Sequence, residues 1–193
     1  MIMAEKRGDT LRFTDTVLEW ALVVVNSIAA VLITTTLFFS RVSVDGESME
    51  STLFDGDKLV ISWFLYQPEN GDIVICDSKA LGKLIVKRVI AVGGQKVTVD
   101  YKSGTVSVDG EVIDEPYLKY HALDDMGGYD MTYYDPEREV FEYDVPEGEV
   151  FLMGDNRDHS SDSRVFGAVS ENDIIGKAVY RFHSDEAKTG FVS

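Results

Sequence analysis

Hydrophobic positions follow two regimes along this chain. From Trp20 to Phe39 the sequence reads WALVVVNSIAAVLITTTLFF, 20 residues without a charge. A helix of that length is about 30 Å long, enough to cross the hydrocarbon core of a bilayer. The pattern predicts a transmembrane helix over residues 20–40. A cleaved leader has a shorter apolar core and a small residue at its cut; here the run ends FFSRVS, with Phe38 and Arg41 where small residues would be needed. The segment reads as an uncleaved anchor. Lys6, Arg7 and Arg12 precede it and only Arg41 and then Lys58 follow, a bias that predicts a single pass through the cell membrane with residues 1–19 as a cytoplasmic tail.

From Arg41 onwards the period changes to two. DKLVIS, GDIVICD, KLIVKRVIAVGG, QKVTVDYKSGTVSVDGEVI, VFLMGD and GKAVYRF alternate or run apolar over strand lengths and are separated by turn residues. No long helical period follows Phe39. The expectation is a mostly β fold, an antiparallel sheet carried by residues 41–193 outside the membrane on one N-terminal helix. Residues 116–146, rich in Tyr and Asp, read as an inserted excursion or an added hairpin. VISWFLY, residues 60–66, is too apolar for a half-exposed strand and reads either as a strand buried on both faces or as an edge resting on the membrane.

Composition narrows the classes of function. The 193 residues are 45% hydrophobic, enough for a core, and carry a formal net charge of −16. Such a chain repels phosphate backbones, so nucleic acid is set aside as a partner. The single cysteine, Cys76, excludes an internal disulfide and sits in an apolar alternation that predicts a buried thiol. His121, His159 and His183 are too scattered for a zinc site. Neither metal nor cofactor is expected.

One residue breaks the pattern. Lys87 lies in the middle of LIVKRVIAVGG, on the strand face that alternation assigns to Ile85, Val89 and Ala91. An ammonium there must reach water along its own stem, find a partner, or lose its proton. Burial lowers a lysine's pKa, and a neutral lysine near pH 7 is a general base. Arg88 points the opposite way, towards whatever acid the fold brings. Two polar clusters supply candidates. Ser48 follows a glycine in VDGESMESTLFDGD, and MGDNRDHSSDSR is dense in Asp, Asn, Ser and Arg. A calcium loop fails in the second because Arg157 takes a ligand position. A serine elbow of the G-x-S-x-G kind fails in the first, which lacks the second glycine.

With GESMESTL, GDIVI, KRVIAVGGQ, VPEGEVFLMGDNRDHSSDSRVFGAV and GKAVYRF in this order behind an anchor, nearly the whole chain resembles the bacterial type I signal peptidases, membrane-bound Ser/Lys proteases that remove signal peptides from exported precursors. The resemblance implies Ser48 as nucleophile, Lys87 as general base and Ser160 as the serine that orients the lysine. It implies structural roles at the site for Arg88, Asp155, Asp162 and Arg164. It also implies cleavage after small-x-small sites, for which Val42, Val44, Leu84, Ile85 and Val86 are the expected pocket walls. Precursors with signal peptides and the lipid bilayer are the implied partners. The chain departs from the family pattern at three points. Gly46 stands where some members have a hydroxyl that assists the oxyanion, Ser51 replaces a proline, and His159 stands where Asn is common. An anchored β module without catalysis and a self-cleaving Ser/Lys protease remain as other readings.

Overall fold

The computed structural model describes residues 2–118 and 133–192. Residues 119–132 of the Tyr- and Asp-rich stretch, His121 among them, lie outside them. The chain divides into two units at Phe39/Ser40. The first is a helix, α1 (Ile2–Phe38), whose apolar part, Thr16–Phe38, has a mean hydropathy of 2.2 and exposed side chains up to Leu37. The helix therefore begins well before the predicted span. The hydroxyls of Ser27, Thr34, Thr35 and Thr36 donate to carbonyls three or four residues earlier, so none needs water.

Among the described residues the second unit holds two sheets. The larger has eight strands: β1 (Phe39–Ser43), β2 (Lys58–Ser62), β3 (Ile73–Ser78), β4 (Lys83–Val92), β10 (Glu149–Met153), β11 (Val169–Ser170), β12 (Ile174–His183) and β13 (Gly190–Phe191). Its order is β1-β2-β12-β3-β4-β10-β11, with β13 paired to β12. The smaller has five: β5 (Lys96–Asp100), β6 (Thr105–Val108), β7 (Glu111–Val112), β8 (Tyr134–Asp135) and β9 (Val140–Asp144), in the order β7-β6-β5-β9-β8. The pairings of β3 with β4, β4 with β10, β12 with β2 and β3, and β5 with β6 and β9 are all antiparallel.

The alternation of the sequence explains the core. Ile73 and Ile75 of β3 join Val44, Met49, Leu53 and Leu59 in one cluster, while Val74 and Cys76 join Ile85, Val89 and Leu152 in another. The run IVIC is apolar at every position because both faces of β3 are buried. Phe151 and Met153 of β10 reach a third cluster with Val97, Val99 and Phe141 from the small sheet. Full burial of each such side chain contributes about 1.5–3 kcal/mol.

Two expectations change. Ala91 does not share a cluster with Ile85 and Val89 but packs beside Ile90. The β4–β10 register shifts between Phe151 and Leu152, leaving Ile90 as an extra residue, and the bulge turns over the alternation beyond it. VISWFLY is a strand only as far as Ser62; Trp63, Phe64 and Leu65 form an exposed turn, Leu65 at 85% and with φ 50°. Residues 133–146 join the small sheet: β8 and β9 pair antiparallel as a hairpin, and β9 also pairs with β5 along its length and is interior to that sheet.

Candidate active site

Ser48 sits in the turn after β1. Met49 and Leu53, 1% and 0% exposed, pin this turn into the core, and the Thr52 and Leu53 N–H groups donate back to the Met49 carbonyl. The serine itself is only half-buried. Lys87 arrives on β4 opposite Val74 of β3. It is 3% exposed, and its Nζ donates to Ser48 Oγ at 2.5 Å. Burial is the main cause that brings its pKa down from 10.5 to about 8, helped by the Lys83 and Arg164 charges and opposed by Asp162 and Asp155. The lysine is thus poised to exchange its proton close to neutral pH.

The third segment runs from the end of β10 into α2 (Ser163–Phe166). The Asn156 backbone N–H donates to the Ser48 carbonyl at 3.1 Å, and Asn156 Nδ2 donates to the Glu47 carbonyl at 3.0 Å. Gly154 lies directly under this clamp. A Cβ there would come within 2.4 Å of the Ser48 carbonyl oxygen and 2.2 Å of Ser160 Oγ, so only glycine lets the two segments meet. Ser160 Oγ is buried and makes no hydrogen bond to Lys87. It lies beside Asp162 but short of good hydrogen-bond geometry.

Under these groups lies a buried layer of ion pairs. Arg88 donates Nε and Nη2 to Asp155 at 2.9 and 2.8 Å, and Asp155 also accepts from Thr52 Oγ1 at 2.5 Å. Arg164 donates Nε and Nη2 to Asp162, both at 2.9 Å, and Arg157 makes a bidentate contact with Glu115. Burial by itself would push the Asp162 carboxyl up; Arg164 and the bonds from Arg164 and the Gly154 N–H outweigh it and hold the carboxyl below its usual range. Each guanidinium has its own carboxylate, so these three pairs are neutral in sum. Such pairs fix geometry more than they add stability.

A cleft of about 450 Å³ opens onto Ser48 and Lys87. Val42, Val44, Leu84, Ile85 and Val86 all line it, whereas Arg88, Asp155, Asp162 and Arg164 do not. Its rim carries His159, Lys83 and Glu47. The departures at Gly46 and Ser51 share a physical cause. Gly46 has φ 92° and Ser51 φ 65°, a region closed to proline and costly for other side chains. Ser51 is held there by its hydroxyl, which donates to the Tyr117 carbonyl at 2.5 Å.

The sequence reading gives no site role to Thr52, Gly154, Asn156, Glu115 or Arg157. Gly154, Asn156 and Arg157 lie inside the quoted GDNRD run, whose density was the available signal. Glu115 is 42 residues from Arg157, and nothing local marks it.

The model of the family described as "Signal peptidase, peptidase S26" matches residues 17–183. Signal peptidase IB of Staphylococcus aureus strain COL is 33% identical over 177 residues, 86% of this chain and 89% of the relative. The protein of that name from strain Mu50 is 34% identical over 176 residues, 86% and 88% of the two chains. A crystal structure of a signal peptidase I from Enterococcus faecalis V583 is 28% identical and covers 58% of this chain and 97% of that one, with a TM-score of 0.44. A match of this extent to the family model, with relatives above 30% identity along most of both chains, means that the chain belongs to the signal peptidase family, peptidase S26.

Proposed function

We propose that this protein is a membrane-anchored serine endopeptidase that removes signal peptides from exported precursors by a Ser48/Lys87 mechanism. The observation that carries the reading is the 2.5 Å contact between Ser48 Oγ and a lysine only 3% exposed. Below pH 8 the ammonium donates to Oγ; once the lysine is neutral the direction reverses and the hydroxyl donates to the amine. From that state Oγ attacks the scissile carbonyl as Lys87 takes its proton. The lysinium then protonates the leaving amine, and water activated by the regenerated amine releases the acyl group. The Ser48 N–H is the oxyanion donor in this scheme, a type of contact whose loss costs about 100–1,000-fold in rate.

Ser160, packed on Gly154 beside the Ser48 carbonyl, limits where Lys87 can lie and so orients it. Arg88, Asp155, Asp162 and Arg164 hold the three segments in register. Val42, Val44, Leu84, Ile85 and Val86 give the cleft apolar walls suited to the small residues before the cut. In this reading the helix is the anchor in the cell membrane, with the N-terminus cytoplasmic, as the Lys6, Arg7 and Arg12 bias supports, and the catalytic unit outside. A precursor still held in the bilayer then meets the site at raised effective concentration.

The test is cleavage of a signal-peptide-bearing precursor by the full-length protein in detergent, beside Ser48→Ala and Lys87→Ala, from pH 6 to 10. Cleavage after a small-x-small site, lost in both variants, is the expected result. A wild-type protein that cuts no precursor would return the chain to a binding module, and a concentration-independent cut in its own sequence would make it a self-cleaving protease.

A further inference from the structure

The contacts of Tyr117 are unusual in reaching both halves of the site from outside the motifs. Its ring lies 3.8 Å from Arg88 Cζ, and Arg88 is the neighbour of Lys87 in β4. Asp155 takes two edge donors of that guanidinium and the Gly71 carbonyl takes Nη1 at 2.7 Å. The ring covers the face those bonds leave open, which suits the planar cation. The Tyr117 carbonyl accepts from Ser51 Oγ at 2.5 Å, three residues beyond Ser48. Its hydroxyl donates to Glu115 Oε1 at 2.8 Å, and Glu115 pairs with Arg157, whose Nε donates to the Gly154 carbonyl at 3.1 Å.

We propose that Tyr117 is a positioning residue for the Ser48–Lys87 pair, holding the lysine strand through its ring and the serine turn through its carbonyl. The proposal rests on the Ser/Lys peptidase reading. Tyr117 does not line the cleft, so its effect reaches substrate only through the two reacting side chains. Without the ring, Arg88 gains freedom to tilt and its bonds to Asp155 hold the lysine strand less firmly. The lysine then drifts from Ser48 and regains part of its ordinary basicity.

The test compares full-length wild type, Tyr117→Phe, Tyr117→Leu and Ser51→Ala in detergent, reading kcat, KM, the basic limb of the pH profile and thermal unfolding. Tyr117→Phe keeps the ring and stays within about twofold of wild type; Tyr117→Leu lowers kcat by about tenfold or more, leaves KM nearly unchanged and moves the limb to higher pH. Ser51→Ala lowers kcat several-fold in the same manner. A folded Tyr117→Leu with the wild-type kcat and limb overturns the proposal. So does an effect confined to KM, or a Tyr117→Phe as impaired as Tyr117→Leu. If Tyr117→Leu does not fold, Ser51→Ala decides: an unchanged kcat and limb there reject the proposal. A wild type that cleaves nothing would instead reject the peptidase reading beneath it.

Discussion

Gly154→Ala is the smallest change that reaches the site. The added methyl would stand 2.2 Å from Ser160 Oγ, 2.6 Å from Ser160 Cβ and 2.4 Å from the Ser48 carbonyl oxygen, where ordinary contact begins at 3.4 Å. Turning the Ser160 hydroxyl cannot relieve the contact with its Cβ, and the Ser48 oxygen belongs to the backbone. The turn must therefore retreat by about 1 Å, stretching the Asn156 N–H bond to that carbonyl and drawing Ser48 Oγ from Lys87. A misplacement of about 1 Å costs roughly 100-fold in rate, and overpacking a tight site costs about 1–3 kcal/mol of stability. Initial rates at saturating precursor and thermal unfolding measure the two effects. Adding Ser160→Gly removes two of the three contacts, so the double variant should regain stability while kcat stays low. A folded Gly154→Ala with kcat within about twofold of wild type would refute the clamp as the determinant of Ser48 geometry.

The rate of acylation should rise with pH through about 8, because Lys87 must be neutral to accept a proton; a limb near 10.5 would show the lysine to be solvated in the working enzyme. Stability changes with pH in the same direction. Lys87 binds its proton less tightly folded than unfolded, so its burial penalty, roughly 3 kcal/mol below pH 8, fades as pH rises from 8 towards 10.5. Chemical denaturation should accordingly show Lys87→Met stabilised against wild type more at pH 7 than at pH 10. Ser51→Pro cannot keep φ 65° and should cost roughly 2–3 kcal/mol, seen as a lower denaturation midpoint. Glu115→Ala leaves Arg157 buried without its carboxylate and should cost about 3–5 kcal/mol by the same measurement, more than Glu115→Gln.

Much of the fold was legible because alternation and burial are local signals. The β3 and β4 runs could be read directly, since a strand covered on both faces is apolar at successive positions. The bulge at Ile90 was not, because its cause is the partner strand. Trp63 to Leu65 carry β-favouring side chains, yet the chain turns there, and that preference loses to backbone geometry. At the site, Lys87 was conspicuous for its apolar neighbours, and the Asp- and Arg-rich turn for its density. Glu115 and Tyr117 looked like ordinary loop residues because their partners, Arg157 and Arg88, are distant in sequence. Gly46 and Ser51 could be read only as missing features, since positive φ at a serine leaves no local mark.

The buried lysine also bears on when the enzyme becomes dangerous to its surroundings. Ser48, Lys87 and the Gly154 clamp come from three separate stretches, joined through pairings of β3, β4 and β10 that span most of the unit. A chain that has not yet folded has a hydrated lysine of ordinary basicity, protonated at neutral pH. Its serine has no base. Under this mechanism competence arrives only when β3, β4 and β10 have paired, so the order of folding itself delays proteolysis until that part of the sheet has formed.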